Sequence, residues 1–262
     1  MTDSLCIVLA QLNPTVGDIA GNLARAREAR AGGAALGADL VILSELFITG
    51  YPPEDLILKP SFQEAAEAAI SDLASDTAKG GPALLIGTPW RENGDLYNAV
   101  ALLDQGEIAA RRYKHNLPNY GVFDEKRLFS SGPLPGPISF RGMRLGVMVC
   151  EDMWAPDVAE CLHETGAEIL VIGNGSPFEA DKRDERMNLA IARVVETGLP
   201  LIYVNQFGGQ DELVFDGGSF VLAHDRTLCV QVPSWCEDLR ATYWSRRDKG
   251  RWECESQRAS AL

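Results

Sequence analysis

The sequence lacks the features that mark secreted, disulfide-stapled and membrane proteins. Its six cysteines include no CxxC pair and do not reach the density of a disulfide-stapled secreted scaffold. The N-terminus has no basic segment followed by an apolar run, and no stretch approaches the roughly 18 consecutive apolar residues of a membrane span. These absences predict a reduced, cytoplasmic protein without a signal peptide or a membrane partner.

Low-complexity tracts, fixed-length repeats and long linkers are also missing. Basic residues are scarce, with 24 Lys and Arg against 37 Asp and Glu and a net charge of −13 at pH 7. That balance argues against a nucleic-acid surface. The 262 residues are enough for one large α/β domain, since a chain of this size buries about 70 to 75% of its unfolded surface.

One stretch of the sequence, Arg144–Trp154, places a cysteine at the end of a buried strand. Apolar residues lead to Cys150, two acidic residues follow it, and Pro156 opens a predicted helix. A helix N-terminus favours negative charge, so we expect the pKa of this thiol to lie below its usual value of about 8.5. Cysteine is also common in inert cores, and this stretch alone leaves both interpretations open.

Two other predicted strands end in ionisable residues. The strand over 39–43 leads to Ser44 and Glu45, and the hairpin over 98–113 leads to Lys114. A carboxylate can take a thiol proton, a thiolate can attack a carbonyl carbon, and an ammonium can stabilise the resulting oxyanion. Taken singly, Glu45 could be a solvated or capping residue and Lys114 a surface residue. Their shared placement at strand ends with Cys150 indicates a site, since ligands bind at that edge of βαβ sheets.

The hydrophobic periodicity predicts a mixture of βαβ units and hairpins. Strands are predicted over 5–12, 39–43, 82–90, 98–104, 107–113, 144–150, 168–172, 201–205 and 213–222. Helices are predicted over 22–36, 61–78, 156–165 and 181–197, the first capped by Asn22. This order favours a mixed α/β sandwich. Because the pattern becomes polar after Arg240, we predict one domain over 1–240 and a polar tail or linker over 241–262.

Four segments, in order, resemble the carbon–nitrogen hydrolase (nitrilase) superfamily. They are SELFITGYPPEDL around Glu45, KHNLPNYGVFDEKR from Lys114, VCEDMW around Cys150 and NQFGGQDELVFDG from Asn205. Within the superfamily they are similar to the glutaminase (amidotransferase) domains of glutamine-dependent NAD⁺ synthetases, over nearly the whole chain. The resemblance implies a four-layer α-β-β-α sandwich and an amidohydrolase that works through a covalent thioester.

The resemblance also implies a Glu-Lys-Cys triad. Glu45 would be the general base for Cys150. Lys114 and the backbone N–H of Glu151 would form the oxyanion site, so Glu151 is expected to be a substrate-binding residue. Glu125 matches a second glutamate of the superfamily, which orients the lysine and the substrate. Its alternative role is a surface partner of the basic residues that follow it.

Further residues are implied to bind the glutamine substrate. Tyr120 and Phe123 would enclose its side chain, while Ser176, Phe178 and Lys182 would hold its α-amino and α-carboxylate ends. The alternative for Lys182 is an exposed residue in the first turn of a helix. For Trp154, simple packing is as good an interpretation as a role in the site.

The resemblance implies a second domain that this sequence does not contain. In the full enzymes an ATP-dependent synthetase domain carries a Ser-Gly-Gly-x-Asp-Ser loop, and no such stretch occurs here. Either a longer protein continues beyond this sequence, which we favour, or a partner chain supplies the synthetase domain. ATP, Mg²⁺ and deamido-NAD⁺ would bind there, and no cofactor or metal is expected in this chain. The expected partners are glutamine, the synthetase domain in cis or trans, and copies of the chain in a homo-oligomer.

The sequence is compatible with two other functions. The chain could be another amidase or nitrilase of the same superfamily acting on a small amide, which would hydrolyse other amides besides glutamine. It could instead serve mainly in assembly, with little activity in the absence of a synthetase partner.

Overall fold

A computed structural model describes residues 3–247 and 250–255. Within these ranges the strands are β1 (Ser4–Gln11), β2 (Leu40–Ile42), β3 (Ala83–Glu92), β4 (Asp95–Asp104), β5 (Glu107–Tyr113), β6 (Ile138–Phe140), β7 (Met143–Val149), β8 (Ile169–Asn174), β9 (Leu201–Asn205), β10 (Phe207–Gln210), β11 (Leu213–Asp216), β12 (Phe220–Leu222), β13 (Leu228–Gln231), β14 (Asp238–Arg246) and β15 (Trp252–Cys254). The helices are α1 (Ile19–Ala35), α2 (Pro60–Thr77), α3 (Glu125–Leu128), α4 (Pro156–Glu164) and α5 (Lys182–Thr197). Short 3₁₀ turns cover Glu54–Leu58 and Cys150–Met153.

The strands form two large sheets and one small ribbon. The first sheet has the order β15-β14-β1-β2-β3-β4-β5, and the second has the order β13-β12-β9-β8-β7-β6. Strands β1, β2 and β3 run parallel, as do β7, β8 and β9, and the outer strands pair antiparallel. Strands β10 and β11 form a separate ribbon. The predicted mixture of βαβ units and hairpins is confirmed.

Alternating side chains explain why these sheets stack into four layers. On β1, Ile7 and Leu9 face the second sheet in the central core, whereas Val8 and Ala10 face α1 and α2. On the second sheet, Leu170 and other outward residues pack against α4 and α5. Each sheet therefore buries both faces, which gives the α-β-β-α sandwich expected from the resemblance.

The start of the first helix differs from the sequence prediction. Helix α1 begins at Ile19, and the side chain of Asp18 caps it by accepting a hydrogen bond from Gly21 N at 2.9 Å. Asn22 is buried instead, and its amide donates to the backbone carbonyls of Thr15 and Ile48. The prediction of Asn22 as the cap is wrong because Asp18 reaches the first free N–H groups one turn earlier.

The C-terminal part of the chain also differs from the prediction of a polar tail after residue 240. Strand β14 pairs with β1 along its whole length, and β15 pairs with β14. Trp244 and Trp252 are buried in the core between the sheets. The prediction is wrong for 241–246 and 252–254, which form strands. In β14, buried and polar side chains alternate with period two, and the polar ones dominate its composition. Residues 248–249 and 256–262 lie outside the described residues.

None of the described helices is both long enough and apolar enough to span a membrane. This result covers 3–247 and 250–255 only.

Candidate active site

The ends of β2, β5 and β7 meet at one edge of the sandwich, and each is followed by one of the residues singled out in the sequence. Glu45 follows β2, Lys114 follows β5 directly, and Cys150 follows β7 directly. Gly87 on β3 makes the close approach of the Glu45 segment possible. A Cβ at this glycine would collide with the backbone of Ser44 and Leu46.

Lys114 is fully buried and is shared between two carboxylates. Its Nζ donates to Glu45 Oε1 at 2.7 Å and to Glu125 Oε1 at 2.8 Å. Burial alone would lower the pKa of this ammonium, but Glu125 and Glu45 outweigh that effect and raise the pKa well above its usual value. Lys114 is therefore a fixed positive charge at the centre of the site, and its alternative role as a surface residue is excluded.

Both glutamates are held by further donors. Glu45 Oε1 also accepts from Asn98 Nδ2 at 2.8 Å, and its Oε2 accepts from Gly175 N at 2.9 Å, just after β8. Glu125, at the start of α3, accepts from the Tyr51 hydroxyl at 2.8 Å. Burial raises the pKa of Glu125, with Lys114 acting in the opposite direction. Glu125 is thus part of the buried cluster, and its alternative role as a surface partner of neighbouring basic residues does not apply.

Cys150 is buried and has a backbone φ of +43°. Such a conformation is uncommon for a residue with a Cβ and marks a position held by its surroundings. Burial and the charge of Glu45 raise the pKa of this thiol well above its usual value, with Lys114 opposing them. The expected lowering of the pKa is wrong, because α4 begins only at Pro156 and Cys150 starts a separate 3₁₀ turn.

Asp152 joins the two strand ends that carry Lys114 and Cys150. Its Oδ1 accepts from the backbone N–H groups of His115 at 2.9 Å and Asn116 at 2.8 Å, and its Oδ2 accepts from Val149 N at 3.0 Å. These groups follow β5 in one sheet and end β7 in the other. Burial raises the pKa of Asp152 to about 6, although the three backbone donors partly offset it.

The rim of the site is formed partly by the segment after Lys114. The Tyr120 hydroxyl donates to both carboxylate oxygens of Glu151, at 3.1 and 2.9 Å, and its ring meets Phe123 edge to face at 5.5 Å. Burial raises the pKa of the Glu151 carboxyl, while the bond from Tyr120 opposes that shift. These three residues lie together beside the buried cluster.

Another part of the rim contains Ser176, Phe178 and Lys182, and the charge of Lys182 acts on Glu151. The Ser176 hydroxyl accepts from Arg186 Nε at 3.0 Å, so its side chain is already engaged within the protein. Phe178 is 42% exposed and meets only one other ring, that of Trp235, among the described aromatic contacts.

The Lys182 ammonium lies 4.4 Å from the centre of the Trp154 ring and is only 7% exposed as a residue. Glu179 and Glu185 pair with it at 3.6 and 3.8 Å. The alternative of an exposed first-turn lysine therefore does not apply. Trp154 forms one wall of the place that Lys182 occupies.

Four residues of the site were not singled out in the sequence. They are Tyr51, Asn98, Asp152 and Arg186. In the sequence, Asn98 is only a polar residue next to an apolar run and Arg186 only a basic residue in a predicted helix, so neither pattern indicates a functional site. Arg186 donates to Ser176 O and Pro177 O and pairs with Asp216 at 2.7 Å, which fixes the backbone of the rim.

A cavity of about 700 Å³ lies beside the rim and reaches the site at Glu151 and Trp154. Its volume falls in the range of about 300 to 1,000 Å³ typical of small-molecule sites. His115, Asn116 and Lys126 contribute polar atoms to its lining. Within 3–247 and 250–255, no group of three or more His, Cys, Asp or Glu side chains could hold a metal ion.

The arrangement supplies the components of amide cleavage. A buried carboxylate and a buried thiol lie close enough for the charge of one to shift the pKa of the other, with a fixed ammonium beside both. A carboxylate can accept a thiol proton, and an ammonium in a site of low dielectric can stabilise an oxyanion.

Comparison with known proteins gives consistent matches. The model of the family described as "Carbon-nitrogen hydrolase" matches residues 6–244. The chain is 51% identical to the glutamine-dependent NAD(+) synthetase of Rhodobacter capsulatus over 237 residues, which is 90% of this chain and 43% of that protein. The chain thus spans less than half the length of this relative.

Solved structures agree with this result. The glutamine-dependent NAD⁺ synthetase from Acinetobacter baumannii, in complex with ADP, superposes with a TM-score of 0.91 at 33% identity, covering 99% of this chain and 48% of that one. A double mutant of the amidase from Nesterenkonia sp. AN1, in complex with acrylamide, gives 0.82 at 28% identity over 92% and 91% of the two chains. Another structure of that amidase shows covalent addition of the acetamide moiety of fluoroacetamide at its active-site cysteine.

Proposed function

Because this chain belongs to the carbon–nitrogen hydrolase family, we propose that it hydrolyses the side-chain amide of glutamine to glutamate and ammonia. The observation that carries the proposal is the buried Lys114 ammonium, held at 2.7 and 2.8 Å by Glu45 and Glu125 beside the Cys150 thiol. Burying this charge costs desolvation free energy that the two carboxylates offset, and clusters of buried ionisable groups are concentrated at functional sites. The similarity to glutamine-dependent NAD⁺ synthetases supports glutamine as the amide.

The first half of the reaction acylates the cysteine. Glu45 takes the Cys150 proton as Sγ attacks the side-chain carbonyl carbon of glutamine. The carbonyl oxygen becomes negative and is stabilised by the Lys114 ammonium and the backbone N–H of Glu151. Glu45 returns the proton to the leaving nitrogen, and the carbon–nitrogen bond breaks. Ammonia departs, and a γ-glutamyl thioester remains on Cys150.

The second half releases glutamate. Water attacks the thioester carbon while Glu45 takes one of its protons, and the second tetrahedral intermediate uses the same oxyanion site. Cleavage of the carbon–sulfur bond then gives glutamate, and the proton returns to Cys150. The raised pKa of the resting thiol suits this cycle, because the proton is present until Glu45 accepts it.

Glutamine would lie between the two groups of rim residues. Tyr120, Phe123 and Glu151 would enclose the side chain. The backbone at Ser176, the Phe178 ring and the Lys182 ammonium would meet the α-amino and α-carboxylate groups. Because Arg186 already engages the Ser176 hydroxyl, the role of Ser176 is assigned to its backbone.

The proposal extends to the destination of the ammonia. A synthetase domain, in cis or in trans, would use it with ATP and Mg²⁺ to amidate deamido-NAD⁺, since the relatives are more than twice as long as the part matched here. We also propose that the protein is cytoplasmic and that it associates with copies of itself in a homo-oligomer.

A second candidate is a small-amide amidase, favoured by the match to the Nesterenkonia amidase over 91% of that chain. Ammonia release from glutamine, asparagine, acetamide and propionamide separates the two. The glutaminase proposal predicts a kcat/KM for glutamine at least about tenfold above that for each of the other amides. Acetamide and propionamide lack the α-carboxylate that Lys182 would meet, and the side chain of asparagine is one methylene too short to bring its amide to Cys150. Equal or better hydrolysis of acetamide would favour the small-amide amidase.

A further inference from the structure

Asn98 contacts every charged member of the buried cluster. It lies on β4, is fully buried, and accepts a hydrogen bond from Lys114 N through its backbone carbonyl at 2.8 Å. Its side-chain Nδ2 donates to Glu45 Oε1 at 2.8 Å and to Glu125 Oε2 at 3.4 Å. One amide group therefore bridges the same two carboxylates that the Lys114 ammonium bridges.

The charge of the cluster shows why a second bridge matters. Two carboxylates share one ammonium, and none of the three side chains has more than 5% of its surface exposed. Neighbouring like charges in a site of low dielectric drive a proton onto one of them. A neutral group that donates one N–H to each carboxylate opposes that protonation, since a donated hydrogen bond stabilises the ionised carboxylate.

The oxygen of the same amide supports this interpretation. Asn98 Oδ1 is buried and has no hydrogen-bond partner among the described residues. A buried acceptor without a partner costs stability, and an apolar residue of similar size would fill this place on β4 without that cost. Packing alone therefore does not account for asparagine here, whereas the two carboxylates do.

The other ionisable groups around the cluster cannot replace this bridge. Those that face the two carboxylates from the surrounding elements are Tyr51, Lys114, Cys150 and Glu151. Lys114 is the one cation among them, and Glu151 adds further negative charge. Tyr51 donates a single bond, to Glu125.

We infer that Asn98 is a positioning residue that keeps Glu45 and Glu125 ionised together, so that Glu45 is free of a proton when Cys150 must lose one. The inference rests on the proposed function only in using Glu45 as the base. It predicts that the ionisation of the cluster, and with it the reactivity of Cys150, depends on the Asn98 amide.

The experiment measures the rate of Cys150 alkylation by chloroacetamide against pH, followed by intact mass, with Cys150→Ala as the blank for the other cysteines. Asn98→Leu and Asn98→Ala both remove the two N–H donors, and the smaller residue guards against misfolding from steric strain. In both variants we expect the midpoint of the pH profile to rise by about one pH unit. At pH values below the native midpoint the rate falls about tenfold, and above both midpoints the profiles converge.

Asn22→Ala is the matched control, because Asn22 is also buried but its amide donates to the backbone carbonyls of Thr15 and Ile48 and to neither carboxylate. It is expected to unfold at a lower temperature with an unchanged midpoint. The inference is overturned if both Asn98 variants keep the native midpoint. Alkylation does not require glutamine, so a native chain that fails to hydrolyse glutamine would defeat the proposed function and leave this test valid.

Discussion

The centre and the rim of this site differ in how their side chains are held. The centre consists of Glu45, Lys114 and Glu125, each at most 4% exposed and each with at least two hydrogen bonds inside the protein. On the rim, Tyr120 is 47% exposed and Phe178 is 42% exposed. The centre is therefore held within the protein before substrate arrives. On the rim, Ser176 and Lys182 are also buried, whereas the exposed rings of Tyr120 and Phe178 leave surface that the substrate can cover. Changes at the centre should therefore lower kcat, and changes at the rim should raise KM.

The largest effect is expected from Glu45→Gln, which removes the base but keeps an oxygen that can accept from Gly175 N. We expect kcat for glutamine hydrolysis to fall by about 10² to 10⁴, with KM changed little. Steady-state ammonia release measures both parameters. An unchanged kcat with a raised KM would show that Glu45 acts in binding and would remove the distinction between centre and rim.

The second-largest effect is expected from Asp152, whose ionisation makes the stability of the fold depend on pH. The pKa of Asp152 is raised from 3.8 to about 6 in the folded chain, so its ionisation costs folding free energy. Its contribution to stability is complete below the unfolded pKa and is lost as the pH rises through about 6, a difference of about 3 kcal/mol.

Asp152→Asn cannot ionise and keeps an oxygen for the backbone donors of His115 and Asn116. Thermal or urea unfolding at about pH 4 and about pH 8 should therefore show the variant gaining stability relative to the native chain as the pH rises. A stability difference that is the same at both pH values would contradict the raised pKa.

A smaller effect is expected on the rim from Lys182→Met, which keeps the length of the side chain and its contact with Trp154 but removes the charge. The KM for glutamine should rise by about tenfold to a hundredfold with little change in kcat, since the variant cannot form the charged hydrogen bond that we propose between Lys182 and the α-carboxylate. Lys79→Met, which changes an exposed lysine after α2, is the control and should leave both parameters unchanged. A fall in kcat alone would place Lys182 with the centre.

The smallest effect is expected from Tyr120→Phe, which deletes only the hydroxyl that donates to Glu151. A hydrogen bond at a half-exposed position should be worth a change of about threefold in KM. Tyr243→Phe provides a matched control, since Tyr243 is also 47% exposed but lies on β14. Equal effects of the two substitutions would mean that the Tyr120 hydroxyl has no part in the site.

The parts of the site that could be predicted from sequence are those that follow strand ends. A buried strand ends visibly where apolar residues give way to a charge, so Glu45, Lys114 and Cys150 could be found and brought to one edge of the sheets. The raised pKa of Cys150 could not be predicted, because it depends on burial and on Glu45, which is distant in sequence. The role of Asp152 could not be predicted either, because its partners are backbone N–H groups from two different sheets.

The fold shows the same limit. A strand with a continuous apolar run, such as β9, can be predicted to the residue, whereas most of β14 lies in the stretch whose composition predicts a polar tail. Its buried positions, including Thr242 and Trp244, alternate with long polar side chains, and only pairing with β1 shows which face is inside. Asn98 presented a similar difficulty, since one polar residue beside an apolar run gives no sign of the carboxylates that it meets.

The most direct test of the central claim is the intact mass of the chain after incubation with 6-diazo-5-oxo-norleucine, a glutamine-mimicking electrophile, for the native chain and for Cys150→Ala. The account predicts a single adduct on the native chain, its prevention by excess glutamine, and no adduct on the folded Cys150→Ala variant. A native chain that is folded but unlabelled, or an adduct that persists in Cys150→Ala, would contradict it.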